Sequence, residues 1–284
     1  MDAERKQHAL VSFLFYQAVR DLKPVWMLED MRTMETFYWE EDATQRSYSP
    51  SEALLYAIVH DHRAYAQHLL SRFAHEALAT PGARFCCRAS SAPHLAMAVR
   101  YDRRDILALI LQAAHREPRL RSYLRRGGCA HLEDGKTPLH LACELLRADA
   151  VMLLLGSGAS PRAVDSSGMT PLDVVLQQLR DSKANAAAKK CCLEKLLLFM
   201  PQPRFAMRSS LLEEPRRWAT LLGEDTLHYL IGREPAPLFL CAMRAILTQL
   251  PPEQFPASLD TLPIPAALKP LPRAHTLRGL DRFR

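Results

Sequence analysis

The stretch Gly135 to Val175, GKTPLHLACELLRADAVMLLLGSGASPRAVDSSGMTPLDVV, decides the fold. It opens on TPLH, runs through two apolar helical patterns, turns at Gly158 and then reads TPLD. Thr137 and Thr170 lie 33 residues apart, a period found in helical solenoids. Each threonine sits where a helix needs a side-chain oxygen for its unpaired first amides. Pro138 and Pro171 follow at the first helical position, where no N–H is missed. Asp173 stands three residues after Thr170, a capping-box placement near the positive helix end. Gly158 is placed to end the second helix, because a left-handed residue costs glycine nothing. Leu139 and Ala142 share one face of the first helix, and Val151 with Leu153–Leu155 makes the core stripe of the second.

With cap, proline, apolar pattern and glycine stop agreeing at one period, this segment resembles the ankyrin repeat family. The resemblance implies an all-α fold, an ankyrin-repeat solenoid in which each unit buries its apolar face on its neighbours. It also implies that His140 is structural, bonding between neighbouring repeats. Upstream, Ser49-Pro50-Ser51-Glu52 opens another helix with the same cap chemistry. Leu54 and Ala57 take the places of Leu139 and Ala142, and Leu69 and Leu70 those of Leu154 and Leu155. Leu95, Ala98, Ile106, Leu107 and Leu109–Leu111 repeat the pattern. First helices thus recur at Ala57, Ala98, Ala142 and Val175, with steps of 41, 44 and 33 residues and longer loops around Thr80–Ala92 and Arg116–Asp134. In the fourth unit, Arg180 to Lys190 is polar and alanine-rich. It reads as an inserted loop before a second helix that carries Leu193, Leu196, Leu197 and Phe199.

The expected organisation is an N-terminal helical cap at 1–48 and a degenerate array of about four units at 49–200, clearest at 135–179. A helical connector follows at 201–235, then a proline-rich segment at 236–272 and a basic tail at 273–284. Residues 8–39 read as two short helices broken at Pro24 and rich in aromatics, among them Phe13, Phe15, Tyr16, Trp26, Phe37, Tyr38 and Trp39. Their first role is to cover the open end of the stack. Trp26, Phe37 and Trp39, with Arg162 on a hairpin tip, are also the candidate target contacts. Leu211 to Ile231 reads as one or two helices.

Composition excludes several function classes. The 284 residues, 48% hydrophobic, suffice for a sizeable core, and a net charge of +6 comes without a dense Lys/Arg block interleaved with aromatics. Nucleic acid is therefore not an expected partner. Seven cysteines, an odd number with no Cys-x-x-Cys, suggest reduced thiols rather than a disulfide framework or zinc finger. The apolar run Leu10 to Tyr16 is too short to span a membrane, so the expected chain is soluble and cytoplasmic. His60, His62 and His68 lack the cysteines or carboxylates that would complete a metal site. No phosphate-binding glycine loop or nucleophile elbow occurs, so no catalytic residue, metal or cofactor is expected.

The segment PLFLCAMRAILTQLPPEQFPASLDTLPIPAALKPLP, residues 237–272, carries two further motifs. Leu238, Ala242 and Ile246 form one helical stripe at i, i+4 and i+8. Leu262-Pro263-Ile264-Pro265 follows. The layout resembles the SOCS box, the adaptor module of cullin–RING ubiquitin ligases. By that resemblance Leu238, Ala242 and Ile246 would dock elongin C, with elongin B, and Leu262, Pro263, Ile264 and Pro265 would select cullin 5. The family carries cysteine where Ala242 stands. Cys241 is one place early, about 100° away around the helix.

Ankyrin repeats followed by a SOCS box is the architecture of the ankyrin–SOCS-box receptors. Residues 15–32, 48–70 and 222–230 resemble one branch of that family. The resemblance implies a non-catalytic substrate receptor of a cullin 5 ubiquitin ligase. Its implied target is a cytosolic metabolic enzyme, inosine monophosphate dehydrogenase. The alternative is a non-degradative ankyrin scaffold that binds or stabilises a protein partner.

Overall fold

A computed structural model describes residues 14–34, 48–82, 92–117, 123, 134–265 and 268–270. Phe13, Phe37, Tyr38, Trp39, Cys86, Cys87, Cys129 and the tail 273–284 lie outside the described residues. Among the described residues every regular element is helical.

Helical residues 14–20 precede α1 (Val25–Met34). Next come α2 (Pro50–Val59) with α3 (Arg63–Arg72), the single turn α4 (Ala74–Ala77), and α5 (Pro93–Arg100) with α6 (Arg104–Arg116). Then come α7 (Pro138–Glu144) with α8 (Ala148–Gly156), and α9 (Pro171–Asp181) with α10 (Ala186–Leu197). First helices pack on first helices, α2 on α5, α5 on α7 and α7 on α9. Second helices pack on second helices in the order α1, α3, α6, α8, α10. The result is the two-layer ankyrin-repeat solenoid that the Gly135–Val175 stretch implies. Its core runs between the layers through Leu54, Ala57, Leu95, Ala98, Leu139, Ala142, Leu172 and Val175, all buried.

The capping chemistry recurs as expected, and its third residue has a second task. Ser49, Thr137 and Thr170 each close a capping box, with Glu52, His140 and Asp173 as the reciprocal partners. Each partner also reaches the segment of chain that leads into the next packed helices. Glu52 Oε1 accepts from the Gly82 amide at 3.3 Å, and His140 Nε2 donates to the Met169 carbonyl at 3.0 Å. Asp173 accepts from the Ala206 and Met207 amides at 3.0 and 2.8 Å. Because His140 Nδ1 accepts from the Thr137 amide, its proton sits on Nε2. Burial pushes the His140 pKa down, which keeps this neutral form.

Residues 14–34 are more than a cover: they form a fifth helix pair with the same internal turn. Leu22, Asp61, Asp102 and Leu146 are left-handed, with φ of 53°, 55°, 57° and 56°. The amide after each bonds back to the carbonyl of Ala18, Ala57, Ala98 or Ala142 at 2.8–3.0 Å. That is the Schellman pattern, which satisfies carbonyls left open at a helix end. Partly exposed ion pairs run beside these turns, Arg104 to Asp149 at 3.1 Å, Arg147 to Asp102 at 2.9 Å, and Arg63 to Asp105.

The inserted loop expected over Arg180 to Lys190 is absent. Arg180 and Asp181 belong to α9, and the alanine-rich run is the first turn of α10, leaving only residues 182–185 between them. Lys189 explains this: it is buried, and its Nζ donates to the Gln178 and Ser182 carbonyls at 2.9 and 2.8 Å, capping α9. The stretch Leu211 to Ile231 divides into three helices rather than one or two, α11 (Arg208–Glu213), α12 (Pro215–Leu222) and α13 (Glu224–Ile231). Trp218 is their buried centre, its Nε1 donating to the Ser210 carbonyl at 3.1 Å. α14 (Leu238–Gln249), a 3₁₀ turn (Pro252–Gln254) and α15 (Ala257–Asp260) complete the described chain.

Candidate functional site

α14 is apolar from Leu238 to Leu247 except at Arg244, so which face it buries decides what remains free. Met243 and Leu247 are buried, and Leu240, Ile246 and Leu250 pack partly against the core. The opposite face is open, with Leu238 85% exposed and Ala242 and Cys241 exposed beside it. Of the stripe Leu238, Ala242 and Ile246, the first two therefore face outward and the third lies at the edge of the packed side.

Arg244 fastens this helix to the end of the array. Its Nε and Nη2 donate to the Leu197 carbonyl at 3.0 and 2.7 Å, and Nη2 also meets the Tyr229 hydroxyl at 2.6 Å. Tyr229 in turn donates toward the Met200 and Pro201 carbonyls at 3.1 and 3.3 Å, and the guanidinium lies over its ring at 5.4 Å. One cation thus ties α14 to the C-terminus of α10 and to α13. A cavity of about 450 Å³ lies beside this clamp, lined by Leu197, Leu198, Tyr229, Phe239, Leu240 and Leu268.

The motif Leu262–Pro265 alternates. Leu262 and Ile264 are half-buried against the core, while Pro263 and Pro265 are exposed. The Ile264 amide donates to the Leu262 carbonyl at 2.9 Å, a three-residue turn centred on Pro263. Proline's fixed φ suits that turn.

The target-contact candidates are spread over the array. Trp26 is 69% exposed on α1, with Leu22 exposed nearby in the chain, and Arg162 is exposed on the hairpin after α8. α1, which carries Trp26, is bonded to α3. Glu29 accepts from Arg32 Nε and Nη2 at 2.8 and 2.7 Å and from the Tyr65 hydroxyl of α3 at 2.8 Å. Burial pushes the Glu29 carboxyl up, but the bonds from Arg32 and Tyr65 outweigh it and leave the pKa below the usual value. Phe37 and Trp39 lie outside the described residues.

The three histidines point to separate partners. His62 Nε2 lies 2.9 Å from the Lys23 carbonyl and Nδ1 caps Tyr65, His60 packs edgewise on Tyr16, and His68 faces Glu29 at 3.7 Å. Among the described residues no group of three or more His, Cys, Asp or Glu side chains is arranged to hold a metal. No described helix is long and apolar enough to cross a membrane. Cys143 and Cys192 are buried, and burial pushes both thiols up, Cys192 to about 12. Thiols so shifted are poor nucleophiles.

Residues 134–166 match the ankyrin repeat family. The chain is also 44% identical over 296 residues to Ankyrin repeat domain-containing protein 9 of Mus musculus, an alignment covering 94% of this chain and 90% of the mouse protein. The chain belongs to the ankyrin repeat domain-containing protein 9 family. As a member of that family, with a solenoid of stacked helix pairs and exposed apolar side chains on α1 and α14, it is a protein-interaction adaptor.

Sequence reading missed Arg244, which holds α14, and Phe255, which holds the segment after it. Arg244 had a readable signal, the single charge of a mostly apolar helix. Phe255, between prolines, had none.

Proposed function

We propose that this chain is the substrate-receptor subunit of a cullin 5–RING ubiquitin ligase. Leu238, Ala242 and Ile246 dock elongin C and, through it, elongin B, and Leu262, Pro263, Ile264 and Pro265 engage cullin 5. The observation that carries the reading is the position of Leu238. A leucine 85% exposed on a helix anchored by its opposite face is what an unfilled docking ridge looks like. The exposed Pro263 and Pro265 support the second half.

The receptor works by proximity. The array and the exposed Trp26 and Arg162 hold a target protein, with Phe37 and Trp39 part of the same proposal. The ligase arm then brings a charged ubiquitin carrier beside a target lysine, which makes the transfer effectively intramolecular. No catalytic residue of this chain takes part, and the site of action is the cytoplasm. The target belonging to this proposal is inosine monophosphate dehydrogenase, as the family resemblance implies.

A non-degradative scaffold is the second reading, and Ala242 favours it. An alanine where the SOCS-box pattern has cysteine fills less of an adaptor pocket. Capture of the tagged chain separates the two. The receptor reading requires elongin B, elongin C and cullin 5 to co-purify, with Pro263→Ala/Pro265→Ala losing cullin 5 alone. Capture of none of the three by the wild-type chain leaves the scaffold.

A further inference from the structure

Beyond α14 the chain does not leave the array; it turns back along the second-helix layer. The 3₁₀ turn Pro252–Gln254 lies against α6. The next residue, Phe255, is 2% exposed and sits on Gly156, the last residue of α8. A Cβ on Gly156 would lie 2.4–2.5 Å from three carbons of that ring, well inside the roughly 3.5 Å of an ordinary carbon contact.

Gly156 is not there for its backbone. The left-handed residue that ends α8 is Gly158, with φ 93°, while Gly156 has no positive φ. A glycine inside a helix weakens it relative to alanine. The space above Gly156 is the feature that accounts for it, and the Phe255 ring fills that space.

From this seat the chain stays down. Leu259 is fully buried four residues later, and Leu262 and Ile264 pack partly against the core. Arg244 pins the near end of the segment at Leu197 and Phe255 pins its middle at Gly156. Leu262–Pro265 follows the second pin.

We infer that Phe255, seated on Gly156, is the positioning residue that fixes Leu262–Pro265 against the repeat array, so that the array and the cullin-binding motif form one body. This rests on the proposed reading of Leu262–Pro265 as the cullin 5 motif. A motif presented in its bound arrangement loses less freedom on binding than one on a loose strand. A fixed arm also holds a target in few orientations toward the ubiquitin carrier instead of many.

The test uses the full chain as wild type, Phe255→Ala, Gly156→Ala and the double variant Gly156→Ala/Phe255→Leu. Leucine has no Cε1 or Cζ, two of the three ring carbons that a Cβ at 156 would meet, and its Cδ1 can turn away on a tetrahedral Cγ, so the double variant reseats the segment. Each is titrated with purified elongin B–elongin C and then, as that complex, with purified cullin 5; amide exchange is followed over residues 252–265. Expected is unchanged elongin affinity in all variants. Cullin 5 affinity falls about tenfold and exchange over 252–265 quickens in both single variants, with recovery of both in the double variant. Wild-type cullin 5 affinity in both single variants overturns the positioning role while the receptor reading stands. Failure of the wild-type chain to bind elongin and cullin overturns the receptor reading and this role with it.

Discussion

Arg244 and Leu197 are joined by two hydrogen bonds, 3.0 and 2.7 Å long, from one guanidinium to one carbonyl at the end of α10. This contact makes α14 a continuation of the array rather than a tail. The carbonyl is one of the last of its helix, where no intrahelical donor exists and a cation is favoured. Arg244→Met keeps the apolar stem but removes the donors. It is expected to cost about 1–3 kcal/mol, because the Leu197 carbonyl and the Tyr229 hydroxyl both lose a charged partner. Urea unfolding measures the loss, and amide exchange over 238–249 should quicken more than over α7 and α8.

Asp173 carries a heavier load than an ordinary capping residue. It accepts from the Thr170 amide and hydroxyl at 2.9 and 2.7 Å and from the Ala206 and Met207 amides. Asp173→Ala leaves buried donors unsatisfied on both sides of the junction between the last repeat and the connector. The expected loss is about 2–4 kcal/mol. Thr170→Ala removes only the cap oxygen and should cost about 1 kcal/mol. Equal effects of the two variants in denaturant melts would show that the junction does not depend on the carboxylate.

His94 makes the array sensitive to acid. It is fully buried, with Nε2 toward the Ser51 carbonyl and hydroxyl at 3.1 Å and Nδ1 toward the Tyr123 hydroxyl at 2.9 Å. Burial lowers its pKa to about 4, below the 6.5 expected unfolded. Its stabilising contribution is complete above pH 6.5 and is lost as the pH falls toward 4, because the unfolded chain binds a proton that the folded one resists. The span corresponds to about 3 kcal/mol at most. His140, also pushed down by burial, acts in the same direction. His94→Gln should flatten, without abolishing, the dependence of the urea midpoint on pH between 7 and 5, roughly the window of an unfolded histidine.

The parts of the fold legible in sequence were those set by short-range chemistry. Ser49 with Glu52 and Thr170 with Asp173 are three residues apart, and their helices start where the pairs predict. Leu22 was not legible, because a left-handed leucine leaves no mark in composition, although the two helices on either side of it read from the break at Pro24. The alanine-rich start of α10 read as a loop because its anchor, Lys189, looks like a solvated charge until its two carbonyls are seen. At the candidate site, Leu238 and Leu262–Pro265 stood out by pattern. The contacts that position them, Arg244 on Leu197 and Phe255 on Gly156, join residues far apart in the chain, and no local period encodes them.

The central claim is that α14 presents an adaptor-docking ridge headed by Leu238. Leu238 is the first residue of its helix and makes little contact, so Leu238→Asp leaves the core intact and places a carboxylate at the favourable positive end. Calorimetric titration of the full chain with purified elongin B–elongin C, wild type against Leu238→Asp, is the most direct measurement. The account predicts saturable binding by the wild-type chain and its loss in the variant, with both chains melting at the same temperature. Equal binding by the two chains, or none by the wild type, contradicts it.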